Sequence, residues 1–191
     1  NKLHINTVVA GVEAIMATLG AWTTPGCRLP LAILDLGGGS TDAALLEENG
    51  KVTSTHLAGA GGFITMMIDS ELGLNNISLA EDIKRYSLAK VESLFHMRLE
   101  NGEILFFDKP LEPKLFGRVV VCRDDEFIPI ETDHSMERIV EIRRNVKSDV
   151  FVKNAIRALE KIAPLNNIRN IPNVVMVGGS ALDFEIPEMV M

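Results

Sequence analysis

The stretch LAILDLGGGSTD, residues 31–42, decides the fold. Residues 31–34 are continuously apolar, which predicts a short strand buried on both faces. Three consecutive glycines follow, and a turn without Cβ atoms lets backbone N–H groups approach an anion closely. Asp35 and Asp42 flank this turn with carboxylates, the hard oxygen groups that suit Mg²⁺. The stretch therefore predicts a phosphate-binding strand–turn–strand unit; the alternative is a tight hairpin turn with acidic ends.

Two further glycine clusters could face the same ligand. Residues 177–181, VGGSA, emerge from an apolar run, and ligands of α/β proteins bind beyond the carboxyl ends of strands. A bare strand-to-helix turn is the alternative there. Residues 59–62, GAGG, precede a predicted helix whose amino end could also face phosphate, although this cluster alone is a weak signal. Neither a P-loop nor a GxGxxG fingerprint is present in the chain.

The rest of the chain alternates between strand and helix patterns. Asn49-Gly50 and Asn101-Gly102 are hairpin signals, and Ser78 with Glu81 resembles a helix-start capping box. Predicted strands also cover 43–48, 51–57, 90–99, 103–107, 117–122, 127–130 and 174–177, and predicted helices cover 8–20, 63–72, 79–86 and 135–163, with a last helix beginning near 187.

Several charged and titratable residues need an interpretation. Glu81, Lys84 and Arg85 share one predicted helix, where a Lys/Arg pair could lie over an adenine ring; solvated helix charges are the alternative. The four histidines have no metal-ligand spacing and are expected to be ordinary surface or core residues. Arg143, Arg144 and Lys147 are predicted to form the solvent-exposed face of the long helix.

Composition excludes several classes of protein. The 191 residues are 47% hydrophobic and 24% charged, which is ordinary for a folded globular chain. A net charge of −7 argues against a nucleic-acid binder. No apolar run approaches the ~18 residues that span a bilayer, so no membrane segment is expected. Cys27 and Cys122 fit neither a zinc site nor a disulfide framework, which favours a reducing, cytoplasmic compartment.

The order of these motifs resembles the second half of the superfamily that contains actin, sugar kinases and heat-shock chaperones. The resemblance is carried by DLGGGSTD, the hairpin, THLAGAGG, EDIKR and VMVGGS. The strings HLAGAGG, LAKVESLFHMR, FVKNAIRALEKIAPLNNIRNIP and VGGSALDFEIP closely resemble one member family, the large subunit of diol/glycerol dehydratase reactivase. This similarity covers essentially the whole chain.

The resemblance implies a fold, a ligand and site residues. The fold would be α/β, a ribonuclease-H-like lobe of the actin-like ATPase fold with a mixed sheet, flanking helices and a smaller α+β subdomain. The nucleotide-binding subdomain would comprise about 1–77 and 165–191, and the inserted subdomain about 78–164. By matching motifs, Asp35 and Asp42 would position Mg²⁺ and the attacking water. The expected nucleotide-binding residues are Gly37, Gly38, Gly39, Ser40, Thr41, Gly61, Gly62, Glu81, Lys84, Arg85, Gly178, Gly179 and Ser180.

The implied function is that of an ATP-dependent chaperone. Reactivases of this family use ATP to release damaged cobalamin from adenosylcobalamin-dependent dehydratases, and they act with a small subunit in a hetero-oligomer. One departure from the family pattern is that the first phosphate motif, the swivelling domain and a closing connecting helix are not found here, so the chain is expected to be a fragment with poor ATPase activity on its own. The alternatives on the same fold are a small-molecule kinase and an actin-like filament or scaffold protein.

Overall fold

The computed structural model describes residues 13–23, 25–124 and 126–190. The strands are β1 Leu31–Leu36, β2 Ser40–Leu46, β3 Val52–Ala58, β4 Leu88–Ser93, β5 His96–Leu99, β6 Ile104–Phe106, β7 Val119–Arg123, β8 Glu126–Ile130 and β9 Asn173–Val177. The helices are α1 Glu13–Trp22, α2 Gly61–Leu72, α3 Ile77–Arg85, α4 Met136–Lys147, α5 Lys153–Ile162 and α6 Ile186–Val190. Sheet A has the strand order β3-β2-β1-β9, and sheet B has the order β6-β5-β4-β7-β8.

Strand β1 is the centre of sheet A, as its continuously apolar sequence predicts. It pairs antiparallel with β2 and parallel with β9. Side chains alternate along a strand, so Leu31 and Ile33 pack with Ala21 of α1 on one face. On the other face, Leu34 joins the main core together with the alternate residues 32 and 36. Helix α5 covers that second face through β2 and β3. The sheet is thus a mixed one with helices on both sides.

The predicted hairpin around Asn49-Gly50 is confirmed. Strands β2 and β3 pair antiparallel on either side of it, and Gly50 has φ +80°, a left-handed conformation that glycine adopts without strain. The predicted helix over 8–20 lies partly outside the described residues, and its described part begins α1.

Sheet B corrects one sequence prediction. The stretch 90–99 is not one strand but the end of β4 and all of β5, joined by a tight turn. Ser93 makes this turn, because its hydroxyl oxygen accepts hydrogen bonds from the N–H groups of Phe95 and His96, each at 3.1 Å. The hairpin around Asn101-Gly102 is confirmed by the pairing of β5 with β6.

Helix α3 begins earlier than predicted. Its N-cap is Asn76, whose side-chain oxygen accepts from the N–H of Leu79 at 3.1 Å, and not Ser78. Glu81 therefore does not close a capping box with Ser78. Its carboxylate instead contacts α2 and Lys84.

The predicted helix over 135–163 is interrupted by one wide turn. Residues Ser148–Val152 form a π-helical turn between α4 and α5. On a regular helix at about 100° per residue, the buried positions of α5 would lie roughly a third of a turn away from those of α4. The π turn holds one more residue than an α turn, so it rotates the residues that follow by about 100° and compensates for most of this difference. Both helices can therefore present their buried residues to one core.

The division into two subdomains, about 1–77 with 165–191 and about 78–164, stays a prediction. Helix α4 contacts α2 and sheet B, whereas α5 packs on sheet A.

Among the helices of the described residues, none has both the length and the apolar character needed to cross a lipid bilayer.

Candidate functional site

The three glycine clusters, distant in sequence, meet at the turn after β1. The carbonyl oxygen of Gly37 accepts from the N–H of Gly61 at 3.1 Å, and that of Gly38 accepts from the N–H of Gly62 at 2.7 Å. The hydroxyl of Ser180 also donates to the Gly37 carbonyl, at 3.4 Å. The start of α2 and the turn after β9 are thereby attached to the same short turn.

Gly178 is the point of closest approach between these segments. Its φ is +90°, and a Cβ built there would lie 2.7 Å from the carbonyl oxygen of Leu36 and would also collide with Oδ1 of Asp35. Only glycine can occupy a position with that conformation and that spacing. The turn after β9 can therefore lie directly against the end of β1.

A cavity of about 660 Å³ opens beside this junction. Its lining includes nine of the predicted site residues, and it adds three residues that sequence reasoning missed: Tyr86, Leu182 and Asp183. The predicted residues that line it are Gly37, Gly38, Gly61, Gly62, Glu81, Lys84, Arg85, Gly179 and Ser180. Motifs that are up to about 140 positions apart in the chain are thus brought to one concave surface.

Backbone N–H groups on the turn remain open to a ligand. In the described part of the chain, the N–H groups of Gly38 and Gly39 make no backbone hydrogen bond. The N–H groups of Gly61 and Gly62 donate to carbonyl oxygens of the turn after β1. They therefore stabilise the turn and are not available to a ligand in this structure. In the first glycine cluster, the open donors are therefore those of Gly38 and Gly39.

The two predicted catalytic carboxylates are cross-strand neighbours. Asp35 on β1 is paired in register with Asp42 on β2, so both side chains project from the same face of sheet A. His56 on β3 is the cross-strand partner of Asp42 on the other side, and its Nδ1 lies 2.6 Å from Oδ1 of Asp42. Ser40 donates to the other oxygen of Asp42 at 2.7 Å. Sequence reasoning did not single out His56, because only the β2–β3 register brings it to Asp42.

Thr41 points away from this face. Its side chain is fully buried, and its hydroxyl donates to the carbonyl of Gly59 at 3.2 Å. Asn154 of α5 donates to the same carbonyl at 3.0 Å. Both side chains therefore stabilise the loop before α2, and the expected role of Thr41 in holding phosphate stays a prediction.

Lys84 connects α3 to the first turn of α2. Its ammonium group donates to the carbonyl of Gly61 at 3.0 Å, to the Thr65 hydroxyl at 2.8 Å and to the Glu81 carboxylate at 2.5 Å. Partial burial would raise the pKa of Glu81, but the hydrogen bonds from Lys84 and Thr65 and the charges of Lys84 and Arg85 bring that pKa below its usual value. Glu81 and Lys84 therefore form an ion pair at the cavity wall.

The family model that describes a diol dehydratase reactivase ATPase-like domain matches residues 1–191, the whole chain. The chain belongs to this family. The chain is also 55% identical over 189 residues to the propanediol dehydratase-reactivating factor large subunit of Salmonella typhimurium (strain LT2), covering 99% of the chain and 31% of that relative. The reactivase-family chain thus spans about a third of the length of the curated relatives that it matches.

Solved structures identify the fold. A structure of a diol dehydratase-reactivating factor in nucleotide-free form superposes with a TM-score of 0.92 at 55% identity, covering 99% of this chain and 31% of that one. MreB5 of Spiroplasma citri bound to ADP superposes with a TM-score of 0.54 at 24% identity, over 98% of this chain and 53% of that one. The more distant match shows the fold alone. The reactivase-family chain accordingly has the actin-like ATPase fold.

A buried charge cluster lies behind the cavity, and it corrects the prediction for α4. Arg143 and Lys147 were expected at the solvent-exposed face, but both are fully buried, whereas Arg144 is exposed. Their partners are three carboxylates from other segments of the reactivase-family chain. We refer to Glu100, Arg143, Lys147, Asp183 and Glu185 together as the buried charge cluster.

Arg143 is the centre of the cluster. Its guanidinium forms two hydrogen bonds with Glu185, at 2.8 and 3.0 Å, and two with Glu100, at 2.8 and 3.2 Å. Lys147 donates to both oxygens of Asp183 at 2.8 Å and to Glu185 at 2.7 Å. Among the described residues, no buried side-chain nitrogen or oxygen atom lacks a hydrogen-bond partner. The buried polar atoms of the cluster are therefore all hydrogen-bonded, which offsets part of the cost of removing these charges from water.

The pKa shifts of Arg143 and Glu185 favour the charged forms of these two residues. Burial opposes the charge of Arg143, but the hydrogen bonds from Glu100 and Glu185 raise its pKa above the usual value. Burial would likewise raise the pKa of Glu185, yet the hydrogen bonds and charges of Arg143 and Lys147 lower it. The ring of Phe184 lies 5.0 Å from the Arg143 guanidinium carbon and 4.8 Å from the Lys147 nitrogen, which adds cation–π contacts.

Cys122 is expected to be an unreactive thiol. Burial, together with the nearby charge of Glu100, raises the pKa of Cys122 to about 11. Only the thiolate is nucleophilic, so roughly one thiol in a thousand would be reactive at pH 8. Alkylation of Cys122 by iodoacetamide, followed by mass spectrometry, should be very slow at pH 8 and should accelerate up to about pH 11. A rate at pH 8 equal to that of an unfolded control would contradict the burial.

Proposed function

We propose that this chain forms one wall of the adenine-nucleotide site of an ATP-dependent reactivating chaperone. The observation that carries the proposal is the cavity that joins the glycine clusters to the charged end of α3. Membership of the reactivase family supports it independently. The complete protein would release damaged cobalamin from an adenosylcobalamin-dependent diol or glycerol dehydratase, and it would do so with a small reactivase subunit in a hetero-oligomer in the cytoplasm.

The geometry fits ATP or ADP. The open N–H groups of Gly38 and Gly39 would hold phosphate oxygens on the turn after β1. Gly179 and Ser180 would lie along the α-phosphate and ribose, and Lys84 near the purine and ribose. A side chain at Gly61 would reduce this space, because its Cβ would lie 3.2 Å from the Ser180 hydroxyl. Gly61 and Gly62 would thus contribute mainly by keeping the turn in place, with Ser40, Glu81 and Arg85 at the periphery of the ligand.

Asp35 and Asp42 would hold Mg²⁺ through its water molecules. Their carboxylate groups lie on facing positions of β1 and β2, and carboxylate oxygens suit a hydrated Mg²⁺ ion. Within the described residues, no group of three or more metal-binding side chains is found, so direct coordination by a protein cage is not proposed. When bound, ATP supplies the phosphoryl group that is hydrolysed, and Mg²⁺ neutralises charge on its phosphates.

The function of the complete protein can be tested directly. The dehydratase is inactivated with cyanocobalamin, and the complete reactivase with its small subunit is added with ATP and Mg²⁺. We expect release of cyanocobalamin and recovery of activity only when ATP is present. Phosphorylation of a sugar or an organic acid would instead favour a kinase, and nucleotide-dependent light scattering would favour a filament. ATP-independent release, or no release at all, would refute the proposal.

Replacing Asp42 by alanine should lower the Mg²⁺-dependent ATPase rate of the complete protein by about 100-fold or more, since positioning supplies much of the rate. The fold should be retained, because the change removes one of two facing carboxylates. Steady-state phosphate release measures the rate, and circular dichroism measures the fold. Asp108→Ala, at an exposed loop position, serves as the control. Unchanged turnover in Asp42→Ala would exclude this residue from the site.

A further inference from the structure

The buried charge cluster meets the lining of the cavity at two residues. Asp183 is both a member of the cluster and a lining residue of the cavity. Arg143 also donates to the backbone carbonyl of Tyr86 at 3.2 Å, and Tyr86 is another lining residue. The cluster thus touches the end of α3 and the segment that follows the Gly178–Ser180 turn. We call these two segments, residues 84–86 and 179–183, the base-side wall.

The guanidinium of Arg143 can fix the distance between these segments. Its planar group holds Glu185 through two nearly parallel hydrogen bonds and, on the other side, Glu100 and the carbonyl of Tyr86. A guanidinium presents its five donors in a rigid fork, so three partners held by it keep a defined mutual position. The side chain is fully buried, and it therefore does not exchange these partners for water.

The opposite side of the cavity is held by different interactions. There the Gly37 and Gly38 carbonyls accept from Gly61 and Gly62, and no member of the cluster takes part in those bonds. The phosphate side and the base side of the cavity are thus fixed separately. We propose that the buried charge cluster, through Arg143, is a positioning device for the nucleoside part of the nucleotide. This inference rests on the proposed function.

The test is Arg143→Lys in the complete protein with its small subunit. Lysine keeps the positive charge, but a single ammonium group cannot hold Glu185, Glu100 and the Tyr86 carbonyl in one plane. We expect the KM for ATP and the Kd measured by calorimetry to rise about tenfold. The kcat at saturating ATP should stay within about twofold of the wild-type value, because the carboxylates and the phosphate side are unchanged.

Two other variants make the test decisive. Arg144→Lys changes the neighbouring, exposed arginine of the same helix and should leave both KM and kcat unchanged. Glu100→Gln, at a residue outside the cavity lining, removes the negative charge and replaces one of the two oxygens that accept from Arg143 by an NH2 group. It should raise KM in the same direction even if Arg143→Lys is too unstable to purify.

Three results would count against the inference. A folded Arg143→Lys or Glu100→Gln protein with wild-type KM would overturn it while leaving the proposed function intact. A fall in kcat as large as the rise in KM would show a general structural role instead of positioning of the nucleoside. Wild-type protein that neither binds nor hydrolyses ATP would refute the proposed function, and the inference with it.

Discussion

Gly178→Ala is expected to lower the free energy of unfolding of this domain by at least about 3 kcal/mol and to abolish nucleotide binding. The new Cβ would lie 2.7 Å from the carbonyl oxygen and 2.9 Å from the carbonyl carbon of Leu36. These are backbone atoms of the central strand of sheet A, which pairs on both sides and cannot move alone. The φ of +90° adds strain for any residue with a side chain. Calorimetric melting and binding of a fluorescent ATP analogue would measure the two effects.

Gly179→Ala is the matched control for that substitution. A Cβ at Gly179 would have no heavy atom within 4 Å, and this glycine has no positive φ. We expect its melting midpoint to remain within a few degrees of the wild-type value, whereas that of Gly178→Ala should fall by roughly 6–12 °C. Equal shifts in the two variants would mean that the close approach of Gly178 to β1 does not exist in solution.

Lys147→Met should be the most destabilising single change in the buried charge cluster apart from the loss of Arg143. The ammonium group contacts both oxygens of Asp183 and one oxygen of Glu185, and all of these groups are nearly excluded from water. Without Lys147 those carboxylates stay buried with too little positive charge, which typically costs about 3–5 kcal/mol. The melting midpoint should therefore fall by roughly 6–20 °C.

Lys153→Met provides the contrast for Lys147→Met. Lys153 also forms an ion pair, with Asp149 at 2.7 Å, but its side chain is 58% exposed. Exposed pairs contribute only about 0–1 kcal/mol, so this variant should melt within about 4 °C of the wild type. If Lys147→Met and Lys153→Met had the same melting midpoint, the result would contradict the burial of the Lys147 ion pairs.

Local sequence signals predicted the β1–β2–β3 part of sheet A, whereas the convergence of the glycine clusters was expected from the resemblance to a known fold. Residues 31–34 of β1 are continuously apolar, and the Asn49-Gly50 turn favours one kind of hairpin, so both elements follow from interactions between near neighbours. The parallel pairing of β1 with β9 was recognisable only by resemblance to a known fold, because the two strands are more than 130 residues apart. The roles of the individual site residues stay predictions.

The burial of Arg143 could not be predicted from the fact that it is an arginine on a helix. A charged residue on a helix is ordinarily exposed, and only burial with several carboxylates reverses that expectation. One signal was available: Arg143 and Lys147 follow Ile139 at spacings of four residues, which places them on the apolar side of α4. Recognising the partners required tertiary structure, since Glu100 and Glu185 lie 43 and 42 positions away.

The π turn between α4 and α5 has the form of a single inserted residue. Removing one residue from Ser148–Val152 would convert the wide turn into a regular one and leave the buried positions of both helices on the same side. Removing two would rotate α5 by about 100° and turn Ala155 and Leu159 out of the core. Related chains that differ in length at this point should therefore differ by one residue.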